Sequence, residues 1–188
     1  MPAQPARADA RRNRARILDA AAEVFNARGT EASTQDVARA AGVGIGTVFR
    51  HFPTKGDLLR AIVVRDVEEL TAQIEALVTD GDPATAFFAF FTDMVARASS
   101  MRTIVRLLGE SGADLQADKP LRLWRSTIEQ LLAKARDAGA VRRDVGAEEV
   151  LALLLSTCQA AVSAGWDADL QQRTLGIIFD GLRIRPSP

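Results

Sequence analysis

The sequence predicts an all-α fold, and three observations carry that prediction. Ala occurs 33 times in 188 residues while Tyr is absent, and Val, Ile and Thr are scattered rather than gathered into strand-like runs, a balance that favours helices. Apolar residues recur at three-and-four spacing, the period of one helix face. Hydroxyl and acid pairs three positions apart mark helix starts at Ser33/Asp36 and Thr54/Asp57.

The elements follow in order. Between Arg12 and Arg28 the apolar positions Ile17, Ala20, Ala21, Val24 and Phe25 form one face, and Gly29 stands where a helix stops. Ser33 opens a second helix over about Thr34 to Ala41, which Gly42 and Val43 end. A third, barely two turns long, carries Ile45, Val48, Phe49 and Phe52 up to Pro53. Thr54 with Asp57 opens a fourth, which Leu58, Leu59, Ile62, Val63, Leu70, Ile74 and Leu77 extend to about Thr79. Beyond Pro83 the spacing predicts helices over 83–98, 101–109, 120–138, 147–165 and 169–182, about nine in total, with turns rich in Gly, Ser and Asp between them. The helix over 147–165 is apolar nearly all round, so it needs cover within one subunit or between two.

Composition narrows the function. With 47% hydrophobic and 26% charged residues, 13 Gly and 7 Pro, the chain is neither disordered nor fibrous. Its length allows one or two domains. The single Cys158 excludes an intramolecular disulfide and a cysteine-based zinc site, and fits a reducing cytoplasm, the expected localisation. The N-terminus lacks the apolar stretch of a secretory signal. The longest apolar run, 150–164, contains Ser156, Thr157, Gln159 and Ser163 and falls short of the roughly 20 residues of a bilayer span, so no transmembrane helix is expected. One His, one Cys and no Tyr leave few groups for an enzyme, no metal site or cofactor is expected, and the Gly42, Gly44, Gly46 series follows a helix and fits neither the dinucleotide nor the P-loop pattern.

The net charge of zero hides an asymmetry. Residues 1–60 hold ten basic against six acidic side chains, and the remainder fourteen against eighteen, with Arg7, Arg11, Arg12, Arg14 and Arg16 packed into the start. A basic head on an acidic body suits a polyanion at one end. Binding to an anionic membrane surface is the rival explanation of the arm, but it needs neither Gly44 nor Gly46.

Two short helices joined at a Gly, beside a longer basic helix, form a helix-turn-helix over about 33–52, which places its second helix in a major groove. Gly44 and Gly46 each cost helix stability, and their missing Cβ atoms suit close approach to DNA. Lys55 in the first turn of the fourth helix opposes that helix's dipole and would suit a phosphate. Thr47, Arg50 and His51 lie on or beside the exposed side and could donate to phosphates or base edges, while Val48 and Phe52 face inward.

The stretches ARILDAAAEVFNARGTEAST and QDVARAAGVGIGTVFRHFPTKGDLL, within residues 12–60, resemble the DNA-binding domain of the TetR family of transcriptional repressors. LLAKARDAGAVRRDVGAEEVLALLLSTCQAA is similar to one C-terminal subgroup of that family. The resemblance implies a homodimeric, all-helical repressor, with a DNA-binding domain over 1–56 and a ligand-binding and dimerisation domain over 57–188. It implies that a small-molecule effector releases a palindromic double-stranded operator, the fourth helix acting as lever. It places Thr34, Gly44, Ile45, Gly46, Thr47, Phe49, Arg50, His51 and Lys55 at the DNA, and the last two long helices in a four-helix dimer bundle. Phe49 stands where members often have Tyr and cannot donate a hydroxyl proton. Ile45 stands where they often have a polar residue, and either meets a thymine methyl or fills space. Candidate effector-pocket residues are Phe87, Phe88, Phe91, Met94, Met101, Trp124, Ile128 and Trp166, aromatic and flexible apolar groups of the kind that line ligand cavities. Cys158 is expected to be a small buried apolar residue.

Overall fold

A computed structural model describes the backbone of residues 4–111 and 118–184, and the side chains of 9–111 and 125–184. Among these there is no strand. Eight α-helices follow one another: α1 (Gln4–Arg28), α2 (Thr34–Ala41), α3 (Ile45–His51), α4 (Lys55–Asp80), α5 (Ala86–Glu110), α6 (Asp118–Asp137), α7 (Ala147–Ala164) and α8 (Ala168–Leu182), with one 3-10 turn, Gly29–Glu31, after α1. The count falls one short of nine because 83–98 and 101–109 are one helix. No Gly or Pro lies between Pro83 and Gly109, and Ser99 and Ser100 alone do not break a helix that buried apolar positions sustain on both sides. In the other direction α1 reaches back to Gln4 through an Ala- and Arg-rich stretch, good helix formers without an apolar stripe to reveal them.

The described residues form two compact units, one up to Val67 together with the stretch from Met101, the other Glu68–Ser100 together with 118–184. The first is larger than the expected 1–56. Its core joins Ile17, Leu18, Ala21 and Phe25 of α1, Val37 and Ala41 of α2, Val48 of α3, and Leu58, Leu59 and Ile62 of α4 with Ile104, Leu107 and Leu108 from the second half of α5. Phe25 is fully enclosed there, and truncating such a side chain to Ala costs about 3–5 kcal/mol.

The second unit has its own core, from Phe87, Phe90, Phe91 and Val95 of α5, Ile128, Leu131 and Leu132 of α6, Val150 and Leu154 of α7, and Leu175 and Leu182 of α8. Between α6 and α7 the Arg142 guanidinium donates to both carboxylate oxygens of Asp144 at 2.7 and 2.5 Å. The Arg142 backbone amide reaches the Leu182 carbonyl at 2.9 Å, which fastens this loop to the end of α8. Because Arg142 donates to it, the Asp144 carboxyl is held down from 3.8 to about 2.

Helix α7 is only partly covered within the chain, which leaves the second of the two expected covers, a partner subunit, open. Its 18 residues reach a mean hydropathy of 1.2, so by length and composition it passes as a marginal membrane-spanning helix, yet only 22% of it is buried within the chain. Leu153 and Leu155 are exposed. On α8 Ile177 is 76% exposed and Leu170 is exposed beside it. Cys158, on the half-covered side of α7, has its thiol pushed up to about 11 by burial.

Candidate nucleic-acid interface and effector cavity

The interface is built from the caps outward. Ser33 Oγ accepts from the Asp36 amide at 3.2 Å, and Asp36 Oδ2 accepts in return from the Ser33 amide at 3.1 Å, a reciprocal cap that starts α2. The Ser33 hydroxyl donates to the same carboxylate at 2.6 Å. Those Ser33 hydrogen bonds, then Arg28 and Arg39, hold the Asp36 carboxyl below its usual range. Arg28 lies 2.9 Å and Arg39 3.3 Å from Asp36 Oδ1.

Gly42 ends α2 at φ 63°, ψ 40°, a left-handed conformation that Gly adopts without strain. Arg16 donates to the Ala41 carbonyl at 2.6 Å and so fixes the turn from α1. Gly44 then begins α3 without any side-chain cap.

Gly44 and Gly46 both have ordinary negative φ, and a Cβ built at either would meet no atom within 4 Å. Neither backbone conformation nor packing within the chain requires glycine at these two positions. Val48 and Phe52 point into the core, whereas Phe49 is 47% exposed and Arg50 is exposed beside it. Thr47 and His51 are half-buried. Ile45 is half-buried against the core, which favours its space-filling reading. Thr34 is the first residue of α2, half-buried next to the Ser33 cap.

Lys55 is placed differently from a free phosphate ligand. Its ammonium donates to the Ala32 carbonyl at 2.7 Å and sits 5.3 Å from the centre of the Phe25 ring. It tethers the 3-10 turn to the start of α4, where Thr54 and Asp57 form a second reciprocal cap, Thr54 N to Asp57 Oδ2 at 3.1 Å and Asp57 N to Thr54 Oγ1 at 3.0 Å. Charge pattern alone gave Arg14 and Arg16 only as part of a basic arm. In the structure Arg14 lies over the Phe52 ring at 5.4 Å and Arg16 holds the turn. No group of His, Cys, Asp and Glu able to hold a metal occurs among the described residues.

The candidate pocket residues lie in different surroundings. Phe87, Phe91, Met94 and Ile128 are core residues of the second unit, and Phe88 is half-buried against them. Met101 packs on the core of the first unit instead. The side chain of Trp124 lies outside the described residues. Trp166 does line a cavity, of about 860 Å³, between α5 and α8. The other walls are Thr92, Ser99 and Ser100 from α5 and Gln171, Gln172, Leu175 and Phe179 from α8, with Arg183 beyond its end. A second groove of about 760 Å³ runs between α4 and α5 past Asp80, Asp93 and Arg97.

A capped first helix, a left-handed glycine turn and a short second helix with an exposed face define a helix-turn-helix protein. Residues 17–62 match the model of bacterial regulatory proteins of the tetR family, and residues 82–184 match that of the C-terminal domain of SbtR-like transcriptional regulators. The chain belongs to the TetR family of transcriptional regulators. It is similar to the TetR transcription regulatory protein from Mycobacterium vanbaalenii, with 38% identity over 96% of this chain and 100% of that one and a TM-score of 0.77. It is also similar to a TetR regulator from Streptomyces coelicolor, with 29% identity over 92% and 99% of the two chains and a TM-score of 0.73. Over 75 residues it is 35% identical to an HTH-type transcriptional regulator of Staphylococcus aureus (strain USA300), a match spanning 39% of this chain and 40% of that protein.

Proposed function

We propose that the protein is a cytoplasmic, homodimeric repressor that releases a palindromic operator when a small molecule binds its second unit. The observation that carries the DNA-binding part is the pair Gly44 and Gly46, the N-cap and the second residue of α3, with open space at their Cβ positions and no internal demand for glycine, the second of them at a cost in helix stability. An approaching phosphate backbone or base edge supplies the missing demand. Thr34, Ile45, Thr47, Phe49, Arg50 and His51 surround that approach. Lys55 acts there by holding the turn, with its charge adding to the local field.

The exposed apolar residues Leu153 and Leu155 of α7 and Leu170 and Ile177 of α8 support dimerisation through these two helices, paired with the same two of a second copy. A membrane is a poorer cover for α7, whose 18 residues span about 27 Å at 1.5 Å per residue, short of a hydrocarbon core of about 30 Å, and include Glu148 and Glu149. A two-fold dimer presents two recognition helices to half-sites about 34–36 Å apart. An effector acts by binding more tightly to a state in which that spacing is lost.

The test is selection of genomic fragments by the purified protein. Recovery of a two-fold symmetric motif supports the reading. Salt-sensitive binding without a shared motif refutes it and leaves only a basic surface.

A further inference from the structure

One face of α1 changes character along its length. Leu18, Ala21 and Phe25 recur at three-and-four spacing and lie in the core of the first unit, against α2 and α3. The same stripe continues towards the N-terminus through Arg14 and then Arg11, one and two turns before Leu18. Both arginines are exposed, and neither reaches a carboxylate among the described residues. Arg14 instead lies over the ring of Phe52, the residue that ends α3, at 5.4 Å. The helix face that holds the helix-turn-helix therefore runs past its edge as a basic margin. The neighbouring arginines are placed otherwise. Arg12 stands about 160° round the helix from Arg14, at 100° per residue, and is paired with Asp9. Arg16 is committed to the Ala41 carbonyl at 2.6 Å.

Packing within the chain does not account for this margin. No side chain from residue 9 to residue 16 is buried, so this part of α1 lacks the apolar cover that sustains most helices in water. Like charges one turn apart weaken a helix further. A polyanion laid along the face reverses the second effect, because each phosphate it brings is a partner for a guanidinium that has none. A lipid surface suits the same charge less well. A helix that lies in a membrane interface needs a broad apolar face beside its basic one, and between residues 9 and 16 the apolar residues are Ala10 and Ala15 alone. The contact of Arg14 with Phe52 also makes the margin continuous with α3, which points to the nucleic acid that α3 would enter.

We infer that Arg11 and Arg14 form a second DNA contact, a phosphate clamp on the backbone beside the groove that α3 enters, and that Arg12 takes no part in it. The inference rests on the DNA-binding reading above and adds a sequence-independent surface to it. The test is the salt dependence of binding, measured on the full-length protein with a selected genomic fragment and with an unrelated duplex of equal length. Arg11→Gln and Arg14→Gln should each lower the slope of log K against log salt by about 0.9, which is about eightfold in affinity at 0.1 M salt. The loss should be the same on both duplexes, since phosphates carry no sequence, and the selected motif should not change. Arg11→Lys and Arg14→Lys should keep the slope, because the charge is kept. Arg12→Gln should leave it as in wild type. Unchanged slopes in the two Gln variants overturn the inference, as does a loss confined to the selected fragment, an altered motif, an equal loss in Arg12→Gln, or Lys variants as weak as the Gln ones. Slopes that hold while binding to vesicles of phosphatidylserine and phosphatidylcholine disappears in the Gln variants would assign the face to a membrane and overturn it too. Melting curves confirm that each variant folds. Failure of the wild type to select a two-fold symmetric motif refutes the regulator itself, whereas a selected motif with unchanged slopes refutes only the clamp.

Discussion

Replacing Gly46 separates stability from DNA binding more cleanly than any other change in the chain. Gly46 is the second residue of α3, its φ is ordinary, and a Cβ there meets nothing within 4 Å. Gly46→Ala should therefore gain helix propensity without a clash, about 0.5–1 kcal/mol near a helix start. For a chain of this size that corresponds to a rise in Tm of roughly 1–4 °C. Gly46→Leu should keep much of the gain, since Leu is also a strong helix former, yet its side chain would occupy the open space through which we propose that DNA approaches. A loss of about 1–3 kcal/mol in binding, the scale of one mismatched base pair, is roughly 5- to 150-fold in Kd. Thermal melting reads the first effect, and fluorescence anisotropy on a selected DNA fragment reads the second. Higher stability with unchanged DNA affinity in Gly46→Leu would refute the reasoning, because the open space would then face only water. Lower stability in Gly46→Ala would refute the claim that nothing inside the chain needs glycine there.

Other substitutions divide along similar lines. Ser33→Ala removes both hydroxyl bonds of the α2 cap and should cost about 1 kcal/mol, seen as a lower urea midpoint, while Ser33→Asp should recover most of it. Lys55→Ala should lower both stability and DNA affinity because it frees the Ala32 carbonyl, whereas Arg50→Ala should leave the melting temperature alone and reduce the salt slope of binding by about 1. Asp144 titrates at about 2 in the folded chain against an ordinary 3.8. A depressed carboxyl stabilises the fold above its unfolded value, and that contribution disappears as the pH falls from 3.8 towards about 2. The urea midpoints of wild type and Asp144→Asn should therefore differ at pH 6 and approach one another at the acid end; a constant gap would exclude the Arg142 pairing as its source.

Much of the DNA-binding unit was legible in sequence because its signals are local. Ser33 with Asp36 and Thr54 with Asp57 are caps three residues apart, and Gly42 marks a left-handed turn, so each feature is settled within one helical turn. The joining of 83–98 with 101–109 was not legible, since two serines resemble a turn until the buried neighbours on either side are known. Lys55 shows the same limit in reverse: its dipole-opposing position was visible, but its partner, the Ala32 carbonyl, is 23 residues away. The cavity was the least legible part. Phe91, Met94 and Ile128 have the composition of pocket residues and lie in the core, while Gln171 and Ser99 look like ordinary surface and line the space. Which polar residues flank a void is decided by how α5 meets α8, and periodicity contains nothing about that.

The two-sidedness of α8 has a thermodynamic consequence. Leu175 and Phe179 line the cavity, while Ile177, two positions from each and so about 200° round the helix, carries the exposed apolar surface. In a dimer seated on that surface, effector and partner subunit would grip one helix from opposite sides. Coupling of this kind is reciprocal. Whatever the effector does to the dimer constant, dilution must do to the effector's apparent affinity by the same factor. A dose–response curve measured at nanomolar protein and one measured at micromolar protein would then be displaced from one another, and the displacement itself would measure how strongly the inner face of α8 is linked to the outer.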